Sequence, residues 1–395
     1  MIAEKADFIV VGAGIAGASV AYELGAKGKV VLLEMERTPG YHATGRSAAI
    51  MSENYGPALW SRLVTGSRAF LENYGPALWS RLVTGSRAFL ETPPAGFTDV
   101  PLVSPRGALF LAHDHERDAL HRQADEMRRR GATVEVMSPR DAQRHCPVLR
   151  PEEFALALYE PDCRDIDTNA LLSAYLKAFR ARGGALVTEA RVEEIEHSSA
   201  GWRVTTPKAA FEAPTLVNAA GGWAQEIARM AGLPRRNVIP FRRTAVTFDP
   251  PAGSDIRAWP MTFDVAETFY FKPEAGRIMV SPVDMAESEP CDAQADELEV
   301  AIAVDRIQRY TTMEVRAIKH KWGGLRTFAP DHQPVIGPDP AAANFIWLAG
   351  QGGNGVMGGP AAARLAASLA TDGAVPEDLA VLGIAAAAMS PGRLG

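Results

Sequence analysis

The sequence predicts an α/β protein in which a parallel sheet covered by helices is joined to a second, α+β domain built on an antiparallel sheet. Three observations predict it. A strand-helix-strand pattern opens the chain around Gly12-Ala13-Gly14-Ile15-Ala16-Gly17. Continuously apolar runs of the buried parallel type return at 215–220 and 345–349. Between 238 and 283 the pattern changes to alternating strands, with a hairpin turning at Glu274-Ala275-Gly276. At 395 residues the chain exceeds the size at which one core keeps growing. The late return of a parallel-type strand implies a discontinuous first domain, at 1–103, 167–227 and 326–395, with a second at 104–166 and 228–325.

Taken in order, Phe8-Ile9-Val10-Val11 reads as a buried strand, covered by helices on both faces. An Ala-rich helix follows to about Lys27, closed by Gly28, and then the strand Val30-Val31-Leu32-Leu33, ending on Glu34. The glycines have separate physical duties: Gly12 makes the tight turn, Gly14 lets backbone approach a pyrophosphate, and Gly17 allows close helix packing. Three glycines at this spacing are a weak signal, because further matches start at Gly350 and Gly353. Only the first lies between two parallel-type strands with an acid about twenty residues after the central glycine, Glu34, placed to accept from ribose hydroxyls. The first domain therefore reads as Rossmann-like and dinucleotide-binding.

Residues 53–71 are repeated letter for letter as 72–90. Two copies are too few for a solenoid. Each places a proline, Pro57 or Pro76, at a helix-start position ahead of apolar residues at helical spacing, so each copy predicts one amphipathic helix. Helices are also predicted over 116–130, 169–182, 296–312 and 361–370, and strands over 185–187, 192–195 and 241–248.

Composition narrows the function classes. With 47% hydrophobic and 22% charged residues and a net charge of −6, the chain is globular and a poor partner for nucleic acid. Three scattered cysteines suggest neither a zinc site nor a disulfide framework, which fits a reducing cytoplasm. His113, His115, His121 and His145 lie in charged stretches and read as solvated. No apolar run spans a membrane, which leaves peripheral contact at the inner membrane open.

The stretches DFIVVGAGIAGAS, PGYHATGRSAA, SRAFLETPPAGF, LVNAAGGWA, FRRTAVTF, ETFYFKP, WGGLRTFAPD and WLAGQGGNG resemble the amine-oxidising flavoproteins of the D-amino-acid oxidase superfamily, closest to bacterial FAD-dependent D-arginine dehydrogenases. The resemblance implies a glutathione-reductase type FAD domain. FAD would be bound noncovalently, since no cysteine lies near Trp322 or Pro330. His42, Thr44, Gly45, Arg46, Ser47, Ala48 and Ala49, Val192, Ala220 and Gly221, and Gly350, Gly352, Gly353, Asn354 and Gly355 would contact the cofactor. The late glycine-rich turn would aim a helix N-terminus at the flavin pyrimidine ring. Arg243, Tyr270 and Arg326 would hold a substrate carboxylate, for which guanidinium forks are suited, with Tyr55, or Tyr74 in the second copy, as a lid tyrosine. Arg242 should point to the opposite strand face.

That likeness implies oxidative deamination of a D-amino acid by hydride transfer to flavin N5, with the imine hydrolysing to a 2-oxo acid and ammonia. The acceptor would be a quinone, another carrier or oxygen. Two departures matter: Ile50 stands where the D-arginine dehydrogenases have histidine, and Ala108 where they have an acid for a basic side chain. A neutral or apolar substrate is therefore expected. Rivals are oxidation of a secondary amine or 2-hydroxy acid, or a flavin-binding assembly or RNA-modification module.

Overall fold

The computed structural model describes residues 3–54 and 68–395, the side chains of 68–77 excepted. Its first sheet has six strands in the order Ala185–Val187, Val30–Leu33, Phe8–Val11, Thr215–Asn218, Ala342–Ala349 and Val335–Asp339. The first five run parallel and the last is antiparallel. Every residue of Phe8–Val11 and Val30–Leu33 is buried, as the unbroken apolar runs require.

The cover of this sheet differs from the expectation of helices on both faces. Helices Ile15–Leu24, Arg68–Glu91, Thr168–Ala181 and Gly359–Thr371 pack on one face, where Val10, Leu32 and Ile346 point. The other face is covered largely by a four-stranded sheet from Glu4–Lys5, Ala210–Ala213, Gly201–Thr205 and Glu194–Ser198. Ile195, Trp202, Val204 and Phe211 from that sheet meet Ile9, Val11 and Trp347. An apolar strand reports that both its faces are buried and says nothing about what buries them.

The first helix closes at Gly25 rather than Gly28. Gly28 is instead packed under Asp7, whose Oδ2 would lie 2.6 Å from an added Cβ and accepts the Lys29 N–H at 2.7 Å.

The second sheet has nine strands and surrounds Ile239–Phe248, Met261–Asp264, Tyr270–Glu274, Arg277–Ser281 and His320–Phe328. It is mixed rather than wholly antiparallel, because Met261–Asp264 runs parallel to Ala108–Ala112. The hairpin turns where expected, with φ of 48° at Ala275 and 76° at Gly276, the left-handed pair that a tight hairpin turn requires. Helix Glu297–Tyr310 covers one face and is capped by Asp296, whose side chain accepts the Leu298 and Glu299 N–H groups. The other face carries Ala108, Phe110, Phe263, Tyr270 and Met279.

Helix Arg68–Glu91 contains the end of the first repeat copy and all of the second, so Pro76 lies inside a helix and not at its start. The second copy is core: Leu78, Trp79, Leu82, Val83 and Leu90 are buried. Ser86 Oγ accepts the Ala361 N–H at 3.0 Å. Pro57 and Tyr55 lie outside the described residues, as does the side chain of Tyr74. No helix among the described residues is long and apolar enough to cross a membrane.

Candidate active site

The site begins where Phe8–Val11 turns into the first helix. Gly12 has φ of 98°, and a Cβ there would meet the Ala219 carbonyl at 2.6 Å. Gly17 packs on the same turn, with its Cβ position 1.7 Å from the Gly12 carbonyl. Gly14 is different: only Thr44 Oγ1, at 3.1 Å, stands near its Cβ position. The Gly14 backbone is thus open to the close approach of an anion at the helix N-terminus. Thr44 comes from the loop after the second strand, and its hydroxyl accepts the Ile15 N–H at 3.0 Å.

Glu34 is buried at the end of that second strand. Its Oε2 accepts the Ala13 N–H at 2.8 Å and its Oε1 the Glu36 N–H at 2.9 Å. Burial pushes its carboxyl above the ordinary range, against the pull of these two bonds. His42 Nε2 lies 3.0 Å from Glu36 Oε1, and its ring rests on Trp223 with centroids 4.6 Å apart.

One continuous cleft starts from these residues and passes between the two large sheets. Gly12, Gly14, Ile15, Ala16, Glu34, His42 and Val192 line one end, followed by Thr44, Arg46, Ser47 and Ala48 and by Ala220 and Gly221. Arg243, Tyr270 and Arg326 line the other end with Gly352, Gly353 and Gly355. The Arg326 guanidinium lies against Gly353, where a Cβ would come 2.9 Å from its Nη1. Arg243 and Tyr270 are buried. Arg242 faces away from the cleft and donates to Asp296 Oδ2 at 2.8 Å. The residues present fit a long dinucleotide: a turn open to a pyrophosphate at a helix N-terminus and, at the same end, the Glu34 carboxylate.

A profile of FAD-dependent oxidoreductases, the DAO family, matches residues 7–369. The chain belongs to the DAO family. Its cofactor is FAD. Among curated relatives, FAD-dependent oxidoreductase domain-containing protein 1 from Bos taurus is 24% identical, over 94% of this chain and 82% of its own. Glycine oxidase from Geobacillus kaustophilus is 25% identical, over 92% of each chain. The crystal structure of that glycine oxidase superposes with a TM-score of 0.78 at 21% identity, covering 93% of this chain and 95% of its own. L-Proline dehydrogenase from P. horikoshii gives 0.80 at 21% identity over 99% and 98%. These structural likenesses establish the fold.

Several residues expected at the cofactor stand behind the cleft wall of this DAO-family oxidoreductase. Ala13 and Ala49 are buried in the core. Gly45 donates its N–H to the Gly40 carbonyl at 2.7 Å. Gly350, with φ of 66°, packs on Val335, and Asn354 is buried with its N–H on the Gln351 carbonyl. Arg46 lines the cleft, but its guanidinium is engaged elsewhere: Nη1 donates to the carbonyls of Ala293 and Gly323, each at 2.8 Å, and Nη2 pairs with Asp292. His113 and His145 are half-buried rather than solvated, against Tyr310 and Tyr159.

Sequence reasoning missed Tyr41, Trp223, Met279, Trp322 and Gln351, all in the cleft wall. Trp322 opens the quoted WGGLRTFAPD segment, and Trp223 directly follows the glycines of the quoted LVNAAGGWA run; both positions were available as signals.

Proposed function

We propose that this oxidoreductase oxidises the Cα–N bond of an amino acid, taking D-amino acids as substrates and acting as a dehydrogenase or oxidase. The observation that carries this reading is the single cleft joining the dinucleotide turn at Gly12 to Arg243, Tyr270 and Arg326. Two guanidiniums and a phenol at one end suit a carboxylate, which arginine binds through paired, permanently charged donors. The names of several relatives agree in chemistry: glycine oxidase, and dimethylglycine dehydrogenase from Rattus norvegicus.

FAD, when bound, supplies the hydride acceptor and is held without a covalent link. Arg243, Arg326 and Tyr270 fix the substrate carboxylate, so that the Cα–H is delivered in one orientation. Positioning of this kind supplies most of what such a reaction needs, because a neutral amine drives hydride departure with its own lone pair. Buried Met279 and the half-buried Trp322 and Ala48 exclude water from the reacting end. Ile50 and Ala108, both buried in one apolar cluster, favour a neutral or apolar substrate side chain.

Anaerobic mixing of the yellow protein with a panel of D- and L-amino acids, N-methylglycine and 2-hydroxy acids tests the reading. Bleaching by D-amino acids is expected. Bleaching by 2-hydroxy acids alone would defeat it. Acid precipitation should leave the flavin in the supernatant; colour retained in the pellet would contradict noncovalent binding.

A further inference from the structure

The register of the second sheet lays three rows of side chains across the cleft wall. Arg243 stands opposite Gly324, and one step along the same strands Ala245 stands opposite Trp322. That second row continues through Ser281, the next pair after Val246 and Val280, to Tyr270. A step further on, Thr247 and Lys272 flank Met279. Side chains alternate, so the three rows share the face on which Arg243, Ala245, Tyr270, Met279 and Trp322 line the cleft.

The middle row is a trough. Its walls are Trp322 and Tyr270, on strands three steps or about 14 Å apart, and between them stand the small residues Ala245 and Ser281. Trp322 is fixed by its indole N–H, which donates to the Arg46 carbonyl at 3.2 Å. Tyr270 rests against Phe263, with ring centroids 5.8 Å apart. The polar groups of the floor and the far end are already engaged. Ser281 Oγ donates to the Thr244 carbonyl at 2.7 Å, and Lys272 Nζ lies 2.9 Å from both Asp165 and Glu274. Met279 closes the far end, one strand step or about 7 Å beyond Ala245. In the other direction stand Arg326 and Phe241, the latter packed on Phe328 at 5.8 Å, so the small residues lie on the Ala245 side.

We infer that Ala245 and Met279 are specificity-determining residues: an unbranched aliphatic side chain of the substrate lies in the trough between Trp322 and Tyr270, and Met279 sets the length at which it stops. The inference rests on the carboxylate clamp proposed above. A substrate held at Arg243 and Arg326 has the Ala245 methyl group as the nearest floor for its side chain, and each added methylene is buried against that floor and the Trp322 wall. The gain ends where the chain reaches Met279, which is 1% exposed and has no vacant volume behind it to yield without displacing its neighbours. The apolar preference thus acquires a length limit as well as a polarity.

A chain-length series tests this. Anaerobic flavin reduction is measured with alanine, 2-aminobutyrate, norvaline, norleucine, 2-aminoheptanoate and 2-aminooctanoate, in both configurations. In the wild-type protein kcat/KM should rise by about fourfold per methylene, the scale of one buried methylene group, and then fall within the series. Met279→Ala should move the break to a longer chain and Ala245→Leu to a shorter one. A wild-type series that is flat, falls from alanine onward or rises through 2-aminooctanoate overturns the inference without any variant, as does an unmoved break in both flavin-loaded variants. Binding of the straight-chain carboxylates from butanoate to octanoate, read from the flavin absorbance, needs the clamp and the trough but no oxidation. If these show the rise and the break while no amino acid reduces the flavin, the oxidation reading falls and the trough stands; reduction by amino acids without a length limit is the opposite result.

Discussion

At the scale of single residues, the site separates side chains by where their charge is satisfied. Arg242 and Arg243 are neighbours in sequence, yet one pairs with Asp296 on the far side of the strand and the other lies buried in the cleft wall. Arg243→Ala and Arg326→Ala should each raise substrate KM by roughly tenfold to a hundredfold with FAD content unchanged, the loss of about 1.5 to 3 kcal/mol of charge-assisted bonding. Arg242→Ala should leave KM within about threefold. Equal damage from all three in steady-state assays would contradict the division. Gly12→Ala should fail differently: a Cβ at φ of 98° and 2.6 Å from the Ala219 carbonyl strains the turn by about 1 to 3 kcal/mol or more. Flavin-loaded protein should fall sharply on purification, and normal loading would refute the account. Gly12 and Gly17 were legible in the sequence because a glycine records a constraint on its own backbone. Arg46 was only half legible. Its place in the cleft follows from the loop, but its engagement with Asp292 and Ala293 depends on a segment about 250 residues away that no local pattern announces.

At the scale of elements, the repeat poses a choice that packing resolves. The second copy occupies a helix slot in which Trp79 is 4% exposed and Leu82 and Val83 are fully buried. Gly85 has no room for a side chain, since a Cβ would lie 2.8 Å from Leu379 Cδ2 and 3.3 Å from Ala361 Cβ. Trp79→Ala should therefore destabilise the protein by about 3 to 5 kcal/mol, the usual cost of emptying a buried aromatic site, read as a lower midpoint in chemical unfolding. Deleting 72–90 produces the same sequence as deleting 53–71. One copy then remains for one slot, and loop length costs little entropy, so that variant should fold, bind FAD and retain substrate oxidation. Loss of flavin-loaded protein on this deletion would show that both copies are structural. Periodicity located the core helix within the repeat but placed its start wrongly at Pro76, because helical spacing does not record how far a preceding identical copy continues the same helix. Burial likewise identified the central strands, while the sheet rather than helix over Ile9 and Val11 went unseen, since both covers require the same apolar residues.

At the scale of the whole molecule, the two large sheets are joined at the cleft by the Arg46–Asp292 pair and by Tyr41, whose hydroxyl donates to Asp292 at 3.2 Å. The Arg46 hydrogen bond holds the Asp292 carboxyl below the usual range. A lowered folded-state value means that its contribution is complete above the ordinary carboxylate range and is lost as pH falls through that lowered value. FAD release, followed by flavin fluorescence, should accelerate on such acidification. In Asp292→Asn release should already be faster at neutral pH, with a flatter dependence; identical release profiles would exclude the joint as a contributor. The strand order has a different consequence, in time. Phe8–Val11 leaves the ribosome long before its neighbour Thr215–Asn218, and the next strand, Ala342–Ala349, comes later still. At about 5 to 20 residues per second, the open edge of that strand waits for tens of seconds during synthesis, a hazard for nascent-chain aggregation and a reason for chaperone engagement before any flavin can be loaded.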